Sequence, residues 1–203
     1  MGLTLNSNSL ALEAAVGGGG AAGLTTADVT SLISSKGEWE FVAKYEVTAT
    51  VTGFEIEGFD MTAYRGYKIV YENFYTGSVL NPHFKVMKAG SEFVNNNTYT
   101  MHRHGSSYLT NRNANSSNIY WNSSTNWGTD AIDRLNSEIE IYQNDATYYG
   151  YAKISQKNNG GYYDSHTEGN FVGNRSSDDV TGITLQSTWT SGTAYLYRTA
   201  KRA

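Results

Sequence analysis

Hydrophobic and polar positions along this chain change their period near residue 36. Ahead of that point, Val29, Leu32 and Ile33 fall at i, i+3 and i+4, the spacing of one helix face. Thr25 stands where an N-cap belongs, Asp28 follows three residues on as in a capping box, and Leu24 and Val29 match a hydrophobic staple. The spacing predicts a helix over 26–34, ended by Gly37. From Trp39 the period becomes two. Trp39, Phe41, Ala43, Tyr45 and Val47 alternate with Glu40, Val42, Lys44 and Glu46, as in a strand with one buried face.

Comparable runs recur around Phe54–Ile56, Tyr67–Phe74, Phe84–Met87, Tyr99–His104, Leu135–Tyr142, Tyr149–Gln156, Val180–Leu185 and Ala194–Tyr197. Turn signals such as Thr52-Gly53, Ala89-Gly90 and Asn144-Asp145 separate them. About nine short strands and a single proline predict an all-β fold, an antiparallel β-sandwich of jelly-roll-like type. It carries a flexible N-terminal extension and one short α-helix.

Three stretches follow from this. Residues 1–23 place Leu3, Leu5, Leu10 and Leu12 among Ser and Asn and end in the run Gly17–Gly20, too costly to order as helix or strand. These leucines cannot form a core alone and are expected to dock on something else. Residues 24–36 are the capped helix, too short to stand without a packing partner. Residues 37–203 are the β-sandwich.

Composition narrows the function classes. Only 17% of residues are charged, so the polar surface is built from Asn, Ser, Thr and Gly, which hydrogen-bond well and exert little long-range field. The 16 tyrosines supply buried area with a polar tip, enough for a core despite 39% hydrophobic content. A net charge of −4 argues against nucleic acid or an anionic membrane surface as partner. The absence of cysteine removes disulfides and thiol chemistry. With no secretory signal pattern and no long apolar stretch, a product made soluble in the cytoplasm is expected.

Several stretches carry a resemblance. Gly23-Leu24-Thr25-Thr26-Ala27-Asp28-Val29-Thr30-Ser31-Leu32-Ile33 is followed by Gly37-Glu38-Trp39-Glu40-Phe41-Val42. Phe59-Asp60 precedes Ala63-Tyr64-Arg65-Gly66-Tyr67-Lys68-Ile69-Val70, and the chain closes on Thr190-Ser191-Gly192-Thr193-Ala194-Tyr195-Leu196-Tyr197. In this order they resemble the β-sandwich modules at the C-termini of tailed-bacteriophage virion proteins, notably of marine phages. The resemblance implies a jelly-roll-like, usually trimeric module on a tail fibre, tail tip or capsid appendage, with no catalytic residues and no cofactor. Fibres of that kind usually carry a long shaft, whereas a short segment precedes the domain here. That favours a small appendage, a capsid decoration or spike, or a short tail-attached adhesin.

Four groups of residues are candidate sites. Tyr120, Trp121, Asn122 and Trp127 lie in the Asn-rich segment Asn111–Asp130, where aromatic faces and amides together suit a sugar. A second polar loop, Asn158–Asn174, holds Tyr162, Tyr163, Asp164, His166 and Glu168. His102 and His104 share a strand face, and on a threefold axis three such pairs would offer six nitrogen ligands, as in phage needles that hold iron; two histidines from one chain are otherwise too few. Glu138 and Glu140 resemble the start of the acidic strand motif of jelly-roll glucanases, but the further Glu of that motif is missing from Ile141–Asn144.

The function expected is structural and adhesive. Leu3, Leu5, Leu10 and Leu12 would attach the chain to other virion proteins. Val29, Leu32 and Ile33 would bundle copies into a homotrimer, and the sandwich would meet a host-surface glycan with the avidity of many weak sites. The competing expectations are a stand-alone carbohydrate-binding lectin and, third, a glycan hydrolase using Glu138 and Glu140.

Overall fold

A computed structural model describes residues 39–75, 83–94, 97–104, 109–120, 134–157, 165–175 and 177–199. The expected helix, with Val29, Leu32 and Ile33, and the attachment leucines Leu3, Leu5, Leu10 and Leu12 lie outside the described residues, as do Trp121, Asn122 and Trp127. Among the described residues the regular secondary structure is all β, with no helix.

The strands are β1 (Glu40–Val47), β2 (Val51–Glu57), β3 (Gly66–Tyr75), β4 (His83–Lys88), β5 (Ser91–Glu92), β6 (Asn97–His104) and β7 (Leu109–Ser116). They continue as β8 (Ile119–Tyr120), β9 (Arg134–Gln143), β10 (Thr147–Lys157), β11 (Ser165–Asn174), β12 (Gly182–Trp189) and β13 (Ser191–Arg198). Two antiparallel sheets result. The larger has eight strands in the order β1-β13-β3-β9-β10-β11-β6-β7. The smaller runs β2-β12-β4-β5, with β8 also paired to β4.

One apolar core lies between the sheets. The smaller sheet contributes Ile56, Phe84, Val86, Ile183 and Leu185, and the larger contributes Ile69, Tyr71, Ile139, Ile141 and Leu196, all buried. Rings stitch the two layers. Phe74 meets Phe54 at 5.1 Å, Tyr71 at 5.2 Å and Trp189 at 5.3 Å, in the edge-on arrangement the ring quadrupole favours. Farther along, Phe84 on β4 meets Phe171 on β11 at 5.2 Å, and Phe93 meets Tyr148 on β10 at 4.9 Å.

Bulges decide which side chains reach this core. In β3, Asn73 adopts a left-handed φ of 55° and its N–H donates to Asn136 Oδ1 at 2.9 Å. The slip turns both Tyr71 and Phe74 inward, three residues apart, while Glu72 and Asn73 face water. In β1, a register shift between Phe41 and Ala43 has the opposite result. The expected inward row from Trp39 to Val47 holds from Ala43 onward: Tyr45 packs on the core and Val47 is buried, but Phe41 is 55% exposed and lies 5.8 Å from the Tyr197 ring.

Strands β7 and β11 fall where polar loops were expected. In β11 the inward positions explain the weak signal. In β11, Gly169 and Gly173 leave gaps rather than filling them, and a Cβ on Gly173 would overlap the Tyr148 ring. Tyr148 donates to Asn97 Oδ1 at 2.8 Å, and Asn97 Nδ2 donates to the Ser116 carbonyl at 2.9 Å. This buried polar tether runs from β10 to β7 with its groups paired, as low dielectric demands. The dipeptide Thr52-Gly53 lies inside β2, with Gly53 at φ 73°. Ala89-Gly90, both at positive φ, does turn β4 into β5.

Candidate functional site: the outer face of the larger sheet

Strand alternation sorts the larger sheet into an apolar inner face and a chemically mixed outer one. The register aligns the outer residues in rows across the strands. One row runs Lys44, Tyr195, Val70, Glu138, Lys153, Glu168, His102. The next runs Phe41, Tyr197, Lys68, Glu140, Tyr151, Asn170, Thr100. A third carries Tyr142, Tyr149, Val172 and Thr98.

Glu138 and Glu140, the candidate catalytic pair, sit in the middle of these rows. Lys68 Nζ lies 2.5 Å from Glu138 and 3.6 Å from Glu140, and Lys153 Nζ lies 2.8 Å from Glu138. Tyr142 donates to Glu140 Oε2 at 3.2 Å. Burial alone would push the Glu138 carboxyl up, but Lys153 and Lys68 outweigh it and hold the group below the usual carboxylate range. That is the setting of a tethered anion. A general acid needs its pKa raised.

The aromatic content of the face gathers beside this ladder. Trp39 meets Tyr142 at 6.1 Å, Tyr142 stacks on Tyr149 at 5.6 Å, and Lys68 Nζ stands 5.8 Å from the Trp39 ring centre. Tyr149 is 45% exposed and Val172 42%, so the band ends in accessible apolar surface. An open depression of about 450 Å³ adjoins it, lined among others by Thr98, Thr100, His102, Tyr149, Asn170 and Val172. A second, of about 480 Å³, lies over Val70, Glu72, Asn136, Glu138, Lys153 and Ser155. Hydroxyls, an amide and a ring face around one hollow are a set of groups able to contact a sugar.

Of the sequence-derived sugar candidates, Tyr120 alone is among the described residues. It lies on the smaller sheet, half-buried, with its ring 4.6 Å from His83 and its hydroxyl accepting from Asn118 Nδ2 at 2.8 Å. The structure therefore draws attention to Tyr149 and Asn170 instead. On sequence alone Tyr149 reads as an ordinary strand residue and Asn170 falls in a polar loop. The signal for Asn170 was the alternation of Glu168, Asn170 and Val172 with Thr167, Gly169 and Phe171.

His102 is half-buried on the outer face, at the end of the first row. Its cross-strand neighbour is Glu168, and the backbone position of His104 pairs with that of His166. Among the described residues, no three His, Cys, Asp or Glu side chains form a metal-holding group. Of the stretches that carry the resemblance, residues 23–33 lie outside the described residues, while 59–70 and 190–197 are described. Phe59 stacks on Tyr67 at 4.3 Å, the Asp60 N–H donates to the Tyr67 hydroxyl at 2.8 Å, and Arg198 covers Tyr64 at 4.3 Å. Arg198 also reaches Glu40 at 3.0 Å.

By fold class this is a two-sheet antiparallel β-sandwich. Searched against family models and against curated proteins, the chain matches none.

Proposed function

We propose that this chain is a structural and adhesive protein: a short appendage of a tailed-phage virion, such as a tail-attached adhesin or capsid decoration. In this reading its N-terminal segment docks on other virion proteins, its sandwich assembles as a homotrimer, and its outer surface meets a host glycan. It is not an enzyme and needs no cofactor. Strand order supports the finer jelly-roll reading. The orders β1-β13-β3-β9 and β2-β12-β4-β8 nest the chain as two interleaved four-strand sheets, with β10, β11, β6 and β7 extending one of them.

The observation that carries the adhesive part is the outer face itself. Exposed Tyr149 and Val172 border an open hollow with Thr98, Thr100 and Asn170, while Glu138 is tied down by two lysines. The mass of the full chain in solution, measured by light scattering beside a chain beginning at Gly37, tests the assembly. A trimer that weakens on truncation is expected.

The same hollow also favours the second reading, a stand-alone lectin. In that case both chains are folded monomers and both bind glycans. Tyr149→Ala then lowers glycan binding by about tenfold, the scale of one lost stacking contact.

A further inference from the structure

We propose that the outer face of the larger sheet takes an uncharged linear glycan lengthwise, along β10, in two connected subsites, in place of a single terminal sugar. This rests on the adhesive reading above and names the ligand class of that same face.

Strand β10 sets the track. Tyr148, Ala152 and Ile154 are buried in the core, so Tyr149, Tyr151, Lys153 and Ser155 alternate with them on the outer face. Tyr149 lines the hollow of about 450 Å³, and Lys153 and Ser155 line the hollow of about 480 Å³. From Tyr149 to Ser155 the strand advances about 20 Å, at the rise of an extended chain. Each hollow has the volume of an ordinary small-molecule site, on the order of 300–1,000 Å³. A single sugar ring can occupy one of them, whereas a chain of several rings reaches both.

The side chains between the hollows are tied sideways. Tyr151, in the middle of the track, donates its hydroxyl to Glu168 on β11. Lys153 places its ammonium 2.8 Å from Glu138 on β9. One is thus held to each strand flanking β10, and the row between Tyr149 and Ser155 is fixed in place.

Charge decides the class of chain. Lys68 stands 2.5 Å from Glu138 and 3.6 Å from Glu140, so both ammoniums beside the track are matched to carboxylates. Among the described residues no Lys or Arg lines the first hollow, and Lys153 is the cation lining the second. An acidic sugar laid along this row would displace a lysine from its partner and would meet Glu138, Glu140 and Glu168. An uncharged polyhydroxyl chain meets the Tyr149 ring face and hydrogen-bonding side chains instead: Thr100 and Asn170 in the first hollow, Asn136 and Ser155 in the second.

The test begins with an array of bacterial surface polysaccharides, neutral and acidic, probed with the full-length chain. Captured glycans are then cut into soluble fragments of one to eight sugar units and titrated by calorimetry. Expected is one neutral fragment per chain, with a Kd that falls by about tenfold or more between two and about five units and is flat beyond, the scale of a few added hydrogen bonds. Ser155→Arg fills the second hollow and is expected to remove that gain with length. Val70→Arg enters the same hollow from β3, so one poorly folded variant, identified by circular dichroism, leaves the other to decide. Thr52→Arg, on the smaller sheet, leaves the gain intact. An affinity that stays flat beyond one or two units overturns the inference and leaves the adhesive reading standing. So does a gain with length that survives both blocking variants, or acidic fragments that bind as tightly as neutral ones of equal length. Capture of no glycan at all overturns both.

Discussion

The two halves of the larger sheet solve the same packing problem in opposite ways. In β13, β3 and β9 large apolar side chains hold most inner positions: Leu135, Ile139, Ile141, Ile69, Tyr71, Phe74 and Leu196 face the smaller sheet, with Ser137 and Gly192 as the small exceptions. In β10, β11 and β6 large and absent side chains interlock. Phe171 lies across Gly150, Met101 against Gly169, and Tyr148 over Gly173. Both halves reach close packing, but one does it mainly by volume and the other mainly by matched vacancy. The first is sensitive to deletion and the second to addition.

Substitutions that separate deletion from addition test this contrast. Phe74→Ala, in the filled half, removes a ring that is 1% exposed and touches three others. Urea unfolding should register a loss of about 3–5 kcal/mol. Should the loss stay under about 1 kcal/mol, the filled half is not where the sandwich is held. Gly173→Ala, in the interlocked half, adds a single methyl yet should cost about 1–3 kcal/mol, since the Tyr148 ring is pinned by Asn97. Adding Tyr148→Leu to that chain should recover part of the loss, and strict additivity of the two changes would dismiss the interlock.

The smallest effect belongs to the outer face. The Glu138 carboxyl titrates below its ordinary value in the folded chain. Its stabilising contribution is therefore complete above that value and disappears as pH falls through the lower folded one. Glu138→Gln should flatten the acid limb of a stability–pH curve while costing no more than about 1 kcal/mol at neutral pH, as befits a partly solvated ladder. An unchanged acid limb would mean that Lys68 and Lys153 do not act on this carboxylate.

The same contrast explains what could be read from the residues alone. Bulky alternation marks the filled half plainly, and β3, β4, β9, β10 and β13 fall where Tyr67–Phe74, Phe84–Met87, Leu135–Tyr142, Tyr149–Gln156 and Ala194–Tyr197 predict them. In β11, glycine occupies two of the inward places, so the period is present but written in small residues. In β7, Asn, Arg and Thr hide it altogether. Phe41 shows the reverse error, an apolar residue in phase whose strand slips by one before it reaches the core. The candidate site was less legible, because it is assembled from rows that cross strands. Glu138, Lys153, Glu168 and His102 are neighbours through register. Spacing along one strand reveals His102 and His104, but not what stands opposite them.

The ends of the larger sheet carry one more consequence. Its outermost described strands are β1 and β7. The first bears Glu40, Lys44 and Glu46, with Lys44 and Glu46 joined at 2.5 Å, and the second reads Leu-Thr-Asn-Arg-Asn-Ala-Asn-Ser. The charged border at β1 makes a poor template for an incoming strand, since charge resists edge-to-edge pairing. A domain repeated many times at close quarters is exposed to runaway polymerisation along its edges. Here the charged margin at β1 discourages growth on that side, so crowding of this domain is steered there towards contacts between faces and away from an endless sheet.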